Sequence, residues 1–399
     1  MVMLFCSFTV FATYSWGRYI MIACVVAIFI LDSIKKRFKY KLIFGQFLVI
    51  TALFALYALI SALWAENPSD SIAKGKTLFE IFFMIFVLYN YYDSNQNSVS
   101  NLLSLIKWSS FIIVVYSMSF YGVGNLIAMA AAEGRMDNTY ANVNTIGMLA
   151  AVGILIQIDE IIREKKFKIS VLLCIPSVLL LSLTQSRKAF IVLLLGFAMI
   201  FILRNVSSEN LGKTVLKIVI SLIVLIVLLY FILSLPIFSG MMNRMDKLIA
   251  SLTGIGKVDT STKLRNLMVE VGWEQFLKNP VLGMGIGNPH ILAAKYLGKD
   301  AYLHNNFIEL LAGGGIVGFS IYYSMYAYLF INFWRYRNFK NKEYILCFTI
   351  MFLLFFMDFG RVSYYSKINY IYLMLYFLEV EKLKKNAKES MLGRYIDNG

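Results

Sequence analysis

Charge is scarce in this chain. Of its 399 residues, 15% are Asp, Glu, Lys or Arg and 59% are hydrophobic, whereas soluble proteins carry about a quarter charged residues. That balance, with a mean hydropathy of +0.69, excludes a soluble enzyme or binding module. Cysteine is equally thin. Cys6, Cys24, Cys174 and Cys347 all fall inside apolar runs, with no CxxC pair and no histidine at zinc-ligand spacing. A disulfide framework and a zinc site are therefore not expected, and the cysteines read as small buried side chains. Histidine occurs twice, and no internal repeat is visible. The net charge of +15 calls for no nucleic acid, because cationic cytoplasmic loops account for it in a membrane protein.

Long apolar runs are what the chain does have. Runs of about 15–20 residues recur along its whole length, the pattern of an all-α polytopic membrane protein. Spans are expected near 2–14, 19–31, 42–63, 77–92, 102–121, 143–158, 168–185, 189–203, 214–236, 306–333, 344–358 and 366–379, about twelve in all. Further spans follow the first run at once, so it does not read as a cleaved signal peptide. The first two spans are short and could form one tilted helix with Arg18 inside it, but two are favoured because Ser15-Trp16-Gly17-Arg18 reads as an interfacial turn. Lysine and arginine cluster at Lys35–Lys41, Arg163–Lys168, Arg335–Lys342 and Lys382–Lys388. With twelve spans all four clusters share one side, which the positive-inside bias makes cytoplasmic together with both termini. The expected organisation is nine helices over 1–236, a large extracytoplasmic loop over 237–305, three helices over 306–379 and a basic cytoplasmic tail over 380–399.

A connection as long as 237–305 is usually folded or functional. Leu264, Leu267, Met268, Val271, Phe276 and Leu277 recur near helical spacing over 262–278. They predict an amphipathic helix able to lie on the bilayer surface. Pro280 and the turn Gly283-Met284-Gly285-Ile286-Gly287-Asn288 follow. This GxGxG follows a helix rather than a strand, so it is no dinucleotide loop.

Candidate chemistry gathers on the outward face. Arg187 sits in the tight hairpin Gln185-Ser186-Arg187-Lys188, where cations run against the usual bias. It reads either as a bidentate ligand for phosphate oxygens or as an interfacial arginine among lipid headgroups. Arg135, in Glu133-Gly134-Arg135-Met136-Asp137-Asn138, is a second anion ligand candidate. Asn144, in Asn142-Val143-Asn144, reads as a helix cap or a sugar contact, capping being the commoner use. Arg265, beside Lys263, reads as an anion ligand or part of a solvated helix face. His304 enters an apolar run that carries Gly313, Gly314, Gly315 and Gly318, and histidine is the side chain suited to moving a proton near neutral pH. Its bland alternative is an interfacial residue making one backbone hydrogen bond. The glycines permit close helix packing. No DxD-type acidic pair lies on the outward loops, so a bound divalent metal is not expected. Glu80, Lys107 and Asp358 fall in or near spans and read either as a polar pathway or as structural pairs.

Taken together these motifs resemble the O-antigen ligase and polymerase family. His304-Asn305, nine residues, then Gly315-Ile316-Val317-Gly318 is similar to its H-[NSQ]-x9-G-x-x-G signature. Leu183-Thr184-Gln185-Ser186-Arg187 resembles its arginine hairpin, although Lys188 follows here in place of a small residue. Arg265, Trp273, Pro280 and Gly283-Met284-Gly285 resemble its R…W…P-x-x-G-x-G stretch. Arg135 with Asn142-Val143-Asn144 resembles its R…N-P-N segment, Val143 standing for the proline.

The resemblance implies a GT-C-like fold and inverting, metal-independent glycosyl transfer on the outer face of a bacterial inner membrane, with no cofactor. The implied donor is an undecaprenyl-diphosphate-linked oligosaccharide. It implies that Arg187 and Arg265, with Arg135 as a further candidate, hold the diphosphate, and that His304 activates the acceptor hydroxyl. Asn305, Gly315, Gly318, Asn144 and Glu309 are the implied supporting residues, Glu309 either orienting His304 or serving structure. A polymerase of capsule or O-antigen repeat units is favoured over a ligase that moves the glycan to lipid A-core. Flippase and chain-length regulator proteins are the further partners implied. A lipid-sugar transporter is the rival from another class; it would show repeated halves and mid-bilayer polar breaks.

Overall fold

The computed structural model describes residues 1–397 apart from 8, 10, 13, 40–41, 94–96, 137–140, 165–166, 206–233, 235–237, 254–259, 299 and 340. Among the described residues every regular element is helical. The helices are α1 (Val2–Ser7), α2 (Ser15–Lys35), α3 (Gln46–Ile60), α4 (Pro68–Asp93), α5 (Ser98–Tyr121), α6 (Val123–Ala131), α7 (Val143–Glu164) and α8 (Phe167–Thr184). They continue with α9 (Arg187–Asn205), α10 (Ser239–Thr253), α11 (Thr260–Lys278), α12 (His290–Leu297), α13 (Asn306–Arg335), α14 (Lys342–Met357) and α15 (Lys367–Asp397). Ser15–Lys35, Gln46–Leu63, Ser98–Tyr121, Val143–Ile162 and Asn306–Arg335 are long and apolar enough to cross a membrane. Apart from Ser234, the span expected at 214–236 lies outside the described residues, as do Lys41, Lys165, Lys166, Lys340, Asp137 and Asn138.

The first expected span is corrected. α1 has six residues, a rise of about 9 Å against a hydrocarbon core of about 30 Å. Ser15-Trp16-Gly17-Arg18 opens α2 instead of forming a turn between spans.

The chain divides into two compact units. The first comprises Met1–Cys24, Val99–Val258 and Asn338–Leu353. In it α7 packs against α8 and α9, while α10 meets α9 and α6 meets α8. Small residues set these spacings: a Cβ on Gly153 would lie 2.8 Å from Ser110 of α5, and one on Gly196 would lie 2.5 Å from Leu155. Two of its partly buried cations are paired with carboxylates, as low dielectric favours. Lys107 donates to both oxygens of Glu160 at 2.7 and 2.8 Å, and Arg204 pairs with Asp159. Lys107 thus takes the structural reading.

The second unit comprises Val25–Ser98, Asp259–Arg337 and Leu354–Gly399. In it α13 packs against α3, α11 and α15, and α4 meets α3 and α15. α15 is buried all round from Asn369 to Val380, the mark of a helix inside a bundle. The helix expected at 262–278 forms as α11. It packs Met268 and Val271 with Met284, Leu292, Leu303 and Ala312, leaving Trp273 and Leu277 exposed. One face is therefore core, and only the remainder is available to a bilayer surface.

α13 is interrupted at Gly315, whose φ of 58° and ψ of −165° are non-helical. The turn after α11 fills the break. Met284 N–H donates to Ala312 O at 2.9 Å, and Ile316 and Val317 N–H donate to Pro280 O and Val281 O at 2.9 and 3.3 Å. The Tyr57 hydroxyl of α3 donates to Gly314 O at 2.6 Å. The glycine cluster therefore does more than bring helices close: it lets a loop splice into one. A Cβ on Gly315 would meet Val281 O at 2.3 Å, and one on Gly283 would meet Gly313 O at 2.5 Å.

Gly315→Ala is expected to destabilise the protein by about 1–3 kcal/mol through backbone strain, with the clash in addition. A clear drop in thermal unfolding temperature in detergent is the expected result. Gly124→Ala is the control, since nothing lies within 4 Å of its added methyl. Equal stability of both variants would refute the splice.

Candidate active site

His304 stands immediately before the N-terminal end of α13. Its φ of 61° is left-handed, a conformation that carries strain in a non-glycine residue and often marks functional positions. Three groups hold it there. Asn305 caps α13, its Oδ1 accepting from Phe307 and Ile308 N–H at 3.0 and 3.2 Å. Glu309, buried one turn on, accepts Leu303 N–H at 2.8 Å through Oε2. Tyr302 lies against the imidazole with ring centroids 4.4 Å apart. Glu309 therefore positions the loop that carries His304.

Asn306 anchors the same end to the segment after α14. Its N–H donates to Asp358 O at 2.8 Å, and its Oδ1 accepts from Ser363 and Tyr364 N–H at 2.8 and 3.1 Å. Asp358 is fully buried and is engaged by Ser363 Oγ at 2.8 Å and Arg361 Nε at 3.4 Å. It too takes the structural reading.

Further titratable groups surround this helix start. Lys74, three residues before the span expected at 77–92, lies 3.7 Å from the ring centre of Tyr365. Burial pushes the Lys74 ammonium down from its usual range, while Glu309, Asp70 and Asp300 pull it back up. His290, the second histidine, places Nδ1 2.8 Å from Gly287 O and Nε2 3.4 Å from Asp70 Oδ2. Burial raises the Tyr302 phenol while the Arg265 guanidinium lowers it and Glu309 raises it. The second unit thus brings together Arg265, His304, Asn305 and Glu309, with Gly315 and Gly318 shaping the helix beneath. It adds Lys74, His290 and Asp70. Sequence reasoning missed these three because Lys74 and Asp70 sit one turn apart at the polar start of a helix, an ordinary solvated pattern.

The first unit holds Arg187, Arg135 and Asn144. Gln185 turns the α8–α9 hairpin with a φ of 47°. Its Nε2 donates to Glu133 O and Gly134 O at 3.0 and 2.9 Å. Arg135 Nε donates to Thr184 O at 2.9 Å, and its guanidinium reaches Asn144 Oδ1 at 3.1 Å. Asn144 is thereby corrected as a cap: Asn142 Oδ1 accepts from Asn144 and Thr145 N–H at 2.9 and 3.4 Å. Arg187 is buried in the first turn of α9, and Ser186 Oγ beside it is buried without a partner among the described residues. A guanidinium at the positive end of a helix dipole is unfavourable by itself and favourable around an anion.

Asn305→Ala is expected to cost about 1 kcal/mol by removing the cap, whereas Asn305→Asp retains it. Glu309→Ala leaves Leu303 N–H unpaired and costs about 1–3 kcal/mol. Thermal unfolding of the purified variants measures both; an unchanged Asn305→Ala protein would remove the cap from the account.

Two comparisons with known proteins bear on this geometry. No curated protein matches the chain. The family model described as O-antigen ligase matches residues 171–323. That stretch carries the Arg187 hairpin, Arg265, the spliced turn, His304 and the interrupted helix, while Arg135 and Asn144 lie before it. The match over residues 171–323 therefore supports the likeness to the O-antigen ligase family that the motifs suggested.

Proposed function

We propose that the protein polymerises undecaprenyl-diphosphate-linked oligosaccharide repeat units into capsule or O-antigen, by inverting glycosyl transfer at the outer face of the bacterial inner membrane. The observation that carries this reading is His304, held in a left-handed conformation between the Asn305 cap and the Leu303–Glu309 hydrogen bond. In the proposed reaction His304 takes the proton of the acceptor hydroxyl as its oxygen attacks the anomeric carbon of the donor. The bond from that carbon to the diphosphate oxygen breaks, and undecaprenyl diphosphate leaves with the electron pair. Arg187 and Arg265 hold the diphosphate and stabilise the charge developing on it. Arg135 orders the Arg187 hairpin through Thr184 O and is a positioning residue in this scheme. The large loop over 237–305 supplies Arg265, and the remaining expected spans supply the bundle.

The ligase reading keeps the same residues and changes only the acceptor, to lipid A-core. The matched family is described as O-antigen ligase and leaves both acceptors open, while the Arg135…Asn142-Val143-Asn144 segment favours the polymerase.

Purified protein given lipid-linked repeat units is expected to yield a ladder of lengthening products. Product only on added lipid A-core would replace the polymerase by the ligase, and no transfer with either acceptor would sink both. His304→Ala is expected to abolish turnover while the protein still inserts. Arg187→Ala is expected to lower the rate by about 10²–10³, as loss of a group stabilising developing negative charge does. Turnover retained in His304→Ala would remove the residue from the mechanism.

A further inference from the structure

The far side of the 280–284 turn takes no part in the chemistry above. It walls a cavity of about 470 Å³ together with Trp64, Glu66, Gln275, Lys278 and Asn279. This lies within the range of about 300–1,000 Å³ usual for ligand sites.

The walls are preformed. Glu66 N–H donates to Met284 O at 3.3 Å. Asn67 N–H donates to Asn288 Oδ1 at 2.6 Å, and Ile286 N–H to Ser61 Oγ at 3.0 Å. These bonds fix the α3–α4 connection to the turn. The indole of Trp64 is pinned by Nε1 donating to Leu282 O at 3.2 Å and by the Tyr57 ring, centroids 5.9 Å apart.

The polar lining is uncommitted. The side chains of Glu66, Gln275, Lys278 and Asn279 make no hydrogen bond to the described residues. A rigid aromatic wall flanked by free carboxylate, amide and ammonium groups suits one ligand chemistry. A pyranose offers hydroxyls that both donate and accept, which a carboxylate, two amides and an ammonium satisfy together. It also offers an apolar C–H face, which an indole covers. A phosphate group suits the cavity less, because the charges of Lys278 and Glu66 cancel and the carboxylate repels it.

We propose that this cavity is a saccharide subsite, which holds the substrate glycan beyond the sugar that reacts. The turn that forms its wall is the one spliced into α13, so sugar bound there is referenced to the helix that carries His304. The choice of ligand class rests on the glycan-transfer reading.

The test separates the two. Full-length protein in detergent is titrated with the oligosaccharide released by mild acid from lipid-linked repeat units of the source cells. Binding is read calorimetrically, without turnover, in wild type and in His304→Ala. Both are expected to bind equally, and Glu66→Gln with Asn279→Ala is expected to weaken binding at least tenfold. These two side chains are exposed, so an unchanged unfolding temperature is expected to accompany the loss. In transfer assays the double variant is expected to raise KM with little change in kcat. The proposal is overturned if the double variant binds like wild type. It is also overturned if the protein binds phosphatidylglycerol vesicles through these residues and not the free oligosaccharide. Oligosaccharide binding that survives a failure of transfer would support the subsite and count against the enzyme reading alone.

Discussion

Helix α13 is broken at Gly315, and the backbone groups released there are taken up by a turn from the large loop. In a continuous helix Ile316 N–H would donate to Ala312 O. Here Ala312 O accepts from Met284, and Ile316 N–H donates to Pro280 O. Unpaired backbone groups cost several kcal/mol where water is absent, so a broken apolar helix needs a partner that answers it group by group. Pro280-x-x-Gly283-x-Gly285 and Gly313-x-Gly315 are the two halves of that exchange. Neither Gly283 nor Gly315 accepts a Cβ, because each would press a methyl into the backbone of the other half.

The splice organises the second unit around one point. It sets the loop core of Met268, Val271, Leu292 and Leu303 on the first half of α13, and so fixes the segment that enters this helix at His304. Asn305 then caps, Asn306 ties the helix start to Ser363 and Tyr364, and Glu309 holds Leu303. A strained histidine conformation persists only where its surroundings over-determine it, and these bonds do so. The same turn faces outward onto Trp64 and the free polar side chains of the cavity.

In the first unit the α8–α9 hairpin meets the same need by other means. Gln185, itself in a left-handed turn, fastens the 133–134 segment, because its side-chain amide bridges the carbonyls of Glu133 and Gly134. Gly240 of α10 leaves room for that amide, since a Cβ there would lie 2.2 Å from Gln185 Nε2. The outcome is a buried arginine at a helix N-terminus, an arrangement that favours an anion.

Much of this was legible in the residues. Apolar runs located the helices at 42–63, 102–121, 143–158 and 306–333, because a span must be both long and apolar. The period of Leu264 to Leu277 announced α11, and the stretch from His304 to Gly318 marked the start of α13 and its break. The run at 2–14 misled, since apolar composition does not distinguish a membrane span from a short buried helix such as α1. The cap expected at Asn144 falls on Asn142 instead, because capping depends on a small difference in where the helix starts. Lys74, His290 and Asp70 were invisible, being ordinary in sequence and meaningful only once distant segments meet. Local composition and period therefore determined which stretches are helical and which motifs are present. The break in α13, the loop that fills it and the partners of each polar group were decided by tertiary structure, because backbone hydrogen bonds between segments far apart in the chain have no local signature.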